Sequence, residues 1–387
     1  MAEPEVVIQQ HGAGRLLAGH QWVYRSDLRS STAQAGDVVR VLDERRRFLG
    51  RAFYSDRSEI CLRVFTREDV PVDRAFLADR IARAARLRRP MTEGAGAYRL
   101  FYAESDLIPS LIVDRYGDYL AIQTLSQATE RLKPELLEIL VEQFAPRGIL
   151  ERNDPKVRLL EGLEQKVSLL YGEVPAEVIV CENGLRLAYD LYHGQKTGGF
   201  LDQRQNRAAA ARYAHGEVLD CFAGTGPFSL SVSPRAEHVE AVDLSGAALA
   251  GARHNIELNG AQNISLLEAN SFDLLRQYDD AGRQFDTIIL DPPAFAKNKR
   301  NISAACRGYR EINLRSLRLL RPEGVLVTCS CSHHISEAMF AQIVAEAALD
   351  ARRQAVVLER RTQASDHPIV LTMPETYYLK CFIISVL

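Results

Sequence analysis

"LDCFAGTGPFSL", residues 219–230, decides the fold. An apolar run closes on Asp220, and Gly224 and Gly226 follow where the chain turns into a helix. Small residues at such a turn let a ligand approach the backbone. A dinucleotide fingerprint would place a third glycine or alanine where Ser229 stands, and would seat a pyrophosphate on the helix amino terminus. Asp220, immediately before the glycines, suits a cationic or amino-bearing ligand instead.

Outward from this turn, short apolar runs alternate with helix-spaced patterns. EVLDCFA, HVEAVDLS, ISLLEAN, FDTIILDPP and GVLVTCSCS predict five buried strands. SGAALAGARHNIELNG, a segment around SFDLLRQY, and ISAACRGYREINLRSLRLLRP predict helices between them, each stopped by glycine or proline. The alternation implies an α/β domain, a largely parallel sheet covered on both faces, with ligands at the carboxyl ends of the strands. The second strand closes on Asp243, where a carboxylate can take both hydroxyls of a ribose; the third closes on Asn270, which can hydrogen-bond an adenine edge. The fourth closes on Asp291.

These four strand ends together resemble the Rossmann-like class I S-adenosylmethionine methyltransferases, where the corresponding positions hold methionine moiety, ribose, adenine and target base. The resemblance implies S-adenosylmethionine as cofactor, held by Asp220, Gly224, Gly226, Asp243 and Asn270, with Phe222, Leu244, Ser271 and Asp291 beside them. A Rossmann-like domain for another nucleotide is the alternative.

Asp291-Pro292-Pro293-Ala294-Phe295 resembles the fourth motif of nucleic-acid methyltransferases. Two successive prolines cannot continue a ladder, so they end the strand and fix the loop. A simple strand stop explains the prolines but not the carboxylate and aromatic beside them. The loop is expected to present Asp291 and Phe295 to a flat substrate, with Pro292, Pro293, Lys297 and Arg204 as further substrate contacts. Two chemistries use such a motif. An exocyclic amine needs only a polar clamp, whereas carbon 5 of a pyrimidine is a poor nucleophile until something adds covalently at carbon 6. A thiolate is suited to that addition.

"LVTCSCSHH", residues 326–334, closes the fifth strand, next to the fourth in the methyltransferase sheet order. Alternation puts Cys329 and Cys331 on one face and Thr328, Ser330 and Ser332 on the other, with Cys331 nearer the tip. In pyrimidine carbon-5 methyltransferases of RNA the nucleophile falls seven residues after the glycine that opens this strand, which from Gly324 gives Cys331. Asp291 then stabilises the adduct, protonated or sharing a proton with the ring nitrogen. Relatives with two cysteines carry the releasing one in the Pro-Pro motif. Here that position is Ala294, so release falls to another base or to water. Purely structural thiols are the alternative; zinc lacks a second spaced ligand pair, and C-x-C is not the usual redox spacing.

The resemblance covers nearly the whole chain. The run from Leu290 to Ser332, "SDHPIVLTMPETYYLKCFIISVL" (365–387) and "GQKTGGFLDQRQNR" (194–207) are similar to 23S ribosomal RNA cytosine-5 methyltransferases bearing an amino-terminal PUA domain. In that family the glycine-rich loop helps cover the cofactor, which offers Phe200, Asp202, Gln203 and Arg204 as contacts. Residues 1–72 read as short alternating strands and resemble the PUA RNA-binding barrel, although Gln21 stands after His20 where the family usually has proline. Residues 73–180 form a linking α+β domain with a hairpin at Tyr116 to Asp118, and residues 181–387 the methyltransferase domain.

Length and composition agree with this division. The chain has 387 residues, 47% of them apolar and 25% charged, and a formal charge of −2 that gives no global pull towards nucleic acid. Arg45 to Arg47, Arg86 to Arg89 and Lys297 to Arg300 are local basic clusters; each is a solvated face or part of an RNA track. Seven scattered cysteines argue for reduced thiols. Neither a leader nor a membrane span is expected, which suggests a cytoplasmic protein. The expected partner is 23S ribosomal RNA, deproteinised or partly assembled, and the resemblance admits a homodimer. Two rivals stand beside cytosine-5 methylation: an amino-group methyltransferase of guanine or adenine in which the cysteines are bystanders, and a non-catalytic RNA-binding assembly factor.

Overall fold

The computed structural model describes residues 3–296 and 299–387. They fall into two compact units, the first comprising 1–180, 189–201 and 365–376, the second 181–188, 202–364 and 377–387.

The first unit holds two sheets. Strands at Glu5–Ile8, Trp22–Tyr24, Leu28–Ser31, Val38–Leu42, Phe48–Tyr54 and Ile60–Thr66 form a six-stranded sheet around Val6, Ile8, Val23, Val39, Val41 and Leu62. Alternation fits this role, one side chain in two turning into the core. A five-stranded sheet follows, with its hairpin between Leu111–Tyr116 and Tyr119–Thr124 turning through Gly117 at φ +57°. Helices Arg74–Arg88 and Gln127–Phe144 cover it, the second started by a reciprocal cap between Ser126 and Thr129. Phe53 and Phe65, from the first sheet, pack in one core with Leu77, Ile81 and Ile122. The expected division at residue 72 therefore crosses a continuous core. Residues 365–376, expected with the carboxyl-terminal domain, also belong here: buried Asp366 accepts the Arg99 backbone N–H at 2.9 Å, and its carbonyl accepts Arg88 Nε at 3.0 Å.

The second unit is a seven-stranded sheet. Its strands are β1 (Gly216–Cys221), β2 (Ala236–Asp243), β3 (Ile264–Glu268), β4 (Phe285–Leu290), β5 (Leu320–Ser330), β6 (Ala355–Thr362) and β7 (Lys380–Val386), in the order β3-β2-β1-β4-β5-β7-β6. The first five run parallel, as the expected strands require, and β7 inserts antiparallel between β5 and β6. Helices α1 (Arg204–Tyr213), α2 (Pro227–Val232), α3 (Gly246–Asn259), α4 (Ser271–Asp280), α5 (Ile302–Leu319) and α6 (Glu337–Asp350) cover it. Alternate residues of β1 serve opposite faces: Leu219 and Cys221 pack with α4, α5 and α6, and Val218 with α1 and α2. Double coverage explains why β4 and β5 are near-continuous apolar runs.

Candidate active site

The turn after β1 is held by three left-handed residues, Phe222 (φ +64°), Gly224 (+58°) and Gly226 (+79°). Only glycine takes this conformation without cost, so Phe222 stores strain here. Gly224 N–H donates to Asp243 Oδ2 at 2.9 Å, and Ser245 N–H donates to Oδ1 at 2.9 Å, which fixes the carboxylate at the tip of β2. A Cβ added at Gly224 would meet nothing within 4 Å, so the backbone faces open space there. Asp220 is buried and accepts Ser229 Oγ at 2.5 Å on one oxygen; among the described residues its Oδ1 has no partner. Burial pushes its carboxyl up to about 7, helped by the neighbouring Asp291 and Asp243 charges. A buried, half-satisfied acid beside an open backbone turn fits a group that brings a cationic donor. Asn270 spends its Oδ1 capping α4, accepting Phe272 N–H at 2.9 Å, so its NH2 is the group left to read a base edge. Ser271 is buried in the first turn of α4, and Leu244 is 67% exposed beyond β2.

On the chemical side, Asp291 directly follows β4. Gln203 Nε2 donates to Asp291 Oδ1 at 2.7 Å, Asn206 Nδ2 donates to Gln203 Oε1 at 2.7 Å, and Arg361 Nε donates to Asn206 Oδ1 at 3.0 Å. Gln203, expected against the cofactor, is thus buried as the residue that orients Asp291. Phe295, expected to face a flat substrate, is half-buried. Its ring lies 4.6 Å from Tyr309 and 5.6 Å from Phe272, in an aromatic row that anchors the loop to α4 and α5, because burial there outweighs exposure of a large apolar ring. Arg204 is likewise buried, in the first turn of α1. Pro292 is buried, Pro293 exposed, and Lys297 lies outside the described residues. Phe200 belongs to the first unit and carries the Lys196 ammonium 4.7 Å above its ring.

The two thiols have different surroundings. Cys329 is fully buried in β5 opposite Cys381 of β7. A hydrogen bond with Cys381 and burial push its thiol well above the ordinary value, so it stays protonated. Cys331 stands one residue past the end of β5, half-buried, and its Sγ approaches the Pro292 carbonyl at 3.7 Å. Thiol and Asp291 loop therefore meet. Ser332 clasps them: its Oγ accepts Ala296 N–H at 3.1 Å and shares a hydrogen bond with Tyr309 Oη at 2.9 Å. Lys380, not among the residues expected at the site, opens β7 fully buried and donates from Nζ to the carbonyls of Ser332 (2.8 Å) and Tyr378 (2.9 Å). Its signal is a lysine before the apolar strand of "YYLKCFIISVL", residues 377–387. No cluster of three or more His, Cys, Asp or Glu side chains able to hold a metal occurs among the described residues.

Comparison with known proteins agrees with this architecture. Residues 6–67 match the PUA-like domain family and residues 164–372 the S-adenosylmethionine-dependent methyltransferase family. The chain is 42% identical to ribosomal RNA large subunit methyltransferase I of Tolumonas auensis, covering 98% of each chain. To the protein of the same name from Shewanella amazonensis it is 45% identical, over 93% of this chain and 94% of that one. Among solved structures, SMU.776, a methyltransferase complexed with SAH, superposes with a TM-score of 0.86 at 22% identity, covering 99% of this chain and all of that one. At that identity the likeness speaks to the fold.

Proposed function

This chain belongs to the S-adenosylmethionine-dependent methyltransferases, and from that premise we propose that it methylates carbon 5 of a cytosine in 23S ribosomal RNA through a covalent Cys331 adduct. The large-subunit substrate is supported by the names of its relatives and by the amino-terminal PUA-like domain, a module that holds structured RNA by shape and phosphate contacts. The cytosine chemistry is supported by one observation above others: Cys331 Sγ sits 3.7 Å from the Pro292 carbonyl, on the residue next to Asp291. An amine methylation needs no thiol there.

When bound, S-adenosylmethionine supplies an electrophilic methyl group, and Asp220, Gly224, Asp243 and Asn270 are the residues that would hold it. Asp220 supplies a buried oxygen for a cationic group, and Asp243 an acceptor for ribose hydroxyls. Cys331 adds to carbon 6 of the ring, which makes carbon 5 nucleophilic. Asp291, oriented by Gln203, shares a proton with the ring nitrogen, and that proton offsets the negative charge that develops there as the thiolate adds. After methylation a base removes the carbon-5 proton, the carbon–sulfur bond breaks and Cys331 departs as thiolate. Cys329 takes no part, since its thiol is locked against Cys381.

Replacing each cysteine by serine tests this assignment. The Cys331→Ser protein should lose methyl incorporation by more than about a thousandfold while the Cys329→Ser protein keeps it. Full activity in the first would mean that the thiol is a bystander.

A further inference from the structure

Lys380 is a buried ammonium that the mechanism above does not use. Its residue is 2% exposed, and among the described residues no carboxylate forms an ion pair with it; its three protons have the carbonyls of Ser332 and Tyr378 as acceptors. A charge buried without an ion partner is costly unless something nearby repays it. Strand order shows what stands nearby. β7 lies directly against β5, with Lys380 opposite Ser330, so the ammonium sits at the strand end from which Cys331 emerges. Its hydrogen bond to the Ser332 carbonyl fixes it on the residue that follows Cys331.

We propose that Lys380 is the positioning residue that stabilises the Cys331 thiolate, its fixed ammonium keeping the nucleophile ionised before RNA binds. This rests on the assignment of Cys331 as nucleophile. Among the described residues, other charged or titratable groups stand near the pair: Asp291 heads the loop whose Pro292 carbonyl meets Cys331 Sγ, and its charge opposes the thiolate that Lys380 favours, while His333 follows directly after Ser332. Tyr309 faces Cys331 from α5, with its hydroxyl raised by burial, and Glu337 at the start of α6 is the acid that senses Lys380. Glu337 is engaged elsewhere, accepting Tyr377 Oη at 2.6 Å. Burial lowers the Lys380 ammonium to about 8, and Cys331 and Glu337 oppose that shift. The carbonyls prevent the ammonium from swinging away. They also leave it as a donor rather than a base, so the carbon-5 proton goes elsewhere.

The test does not depend on turnover. Full-length protein is treated with iodoacetamide across pH 5.5–10, and carboxamidomethylation of the Cys331 peptide is followed by mass spectrometry, with the exposed Cys181 peptide as internal reference. Cys331 in the wild type should alkylate with a midpoint below that of Cys181. In Lys380→Met the midpoint should rise by about one unit, roughly a tenfold loss of thiolate near neutrality. Lys380→Arg, which keeps the charge, should restore most of it. A wild-type midpoint at or above that of Cys181 overturns the proposal without any variant, as does an unchanged midpoint in Lys380→Met. If Lys380→Met fails to fold, the wild-type and arginine profiles decide. Failure here leaves the cysteine mechanism standing, because that is judged by the product of methylation; loss of the mechanism would leave the alkylation profile unmoved.

Discussion

Cys329 and Cys331 differ by two positions and by everything around them: one faces Cys381 across a strand pair, the other stands past the strand end beside the Asp291 loop. Alternation in the sequence puts both on one face and favours the residue nearer the tip; that Cys329 is buried against Cys381 on β7 requires the fold. Asp220 shows the same limit. Its place before the glycines was legible, but its protonation was not, since burial and two neighbouring carboxylates set it. Its folded-state value, about 7, lies above the ordinary 3.8, so the stability it contributes is full below about 4 and is lost as pH rises through 7. In the protein without cofactor, the melting temperature of the wild type relative to Asp220→Asn should therefore fall between pH 5.5 and 8.5. A flat or rising difference, measured by calorimetry, would contradict the assignment. A cation bound at Asp220 favours the ionised form, so S-adenosylmethionine binding should take up carboxylate charge by releasing a proton near neutrality.

The parallel half of the sheet was readable because β1 to β5 are short apolar runs that alternate with helix-spaced segments. Strands β6 and β7 were not read as strands, and β7 enters between β5 and β6 against the direction of its neighbours, so no local periodicity gives its place. With it went Lys380. Phe295, a loop aromatic next to an acid, reads as a substrate platform, and its packing against Tyr309 and Phe272 is not visible in the sequence. The loop is also held by Ser332. Replacing Ser332 by alanine removes the acceptor for Ala296 N–H and a partner of Tyr309, at a cost of about 1–3 kcal/mol. Methyl transfer should fall well beyond what that destabilisation explains, with the lost rate in kcat rather than KM. At Gly226 alanine meets φ +79° and a contact of 3.2 Å to Ala252, so denaturant unfolding should show a loss of about 1–2 kcal/mol.

At the scale of the molecule, a formal charge of −2 leaves RNA binding to local surfaces. Two of the expected clusters make ion pairs within the protein. Arg46 pairs with Glu5 at 2.5 Å, Arg47 with Asp43 at 2.7 Å, and Arg88 is buried against Asp106 at 2.7 Å. Arg86 and Arg89 remain on the surface, in a concavity shared with Tyr98. Replacing both by alanine should weaken ribosomal RNA binding and reduce the slope of log K against log salt by roughly two, whereas Arg88→Ala should lower stability. A salt slope unchanged in the double variant would remove these residues from the RNA path. The central claim is the atom methylated, and it is tested most directly by methyl transfer from labelled S-adenosylmethionine to deproteinised 23S ribosomal RNA lacking the modification, followed by nucleoside mass spectrometry. Label in 5-methylcytidine is the predicted result; label in a methylated guanosine or adenosine would contradict it and make Asp291, not Cys331, the centre of the chemistry.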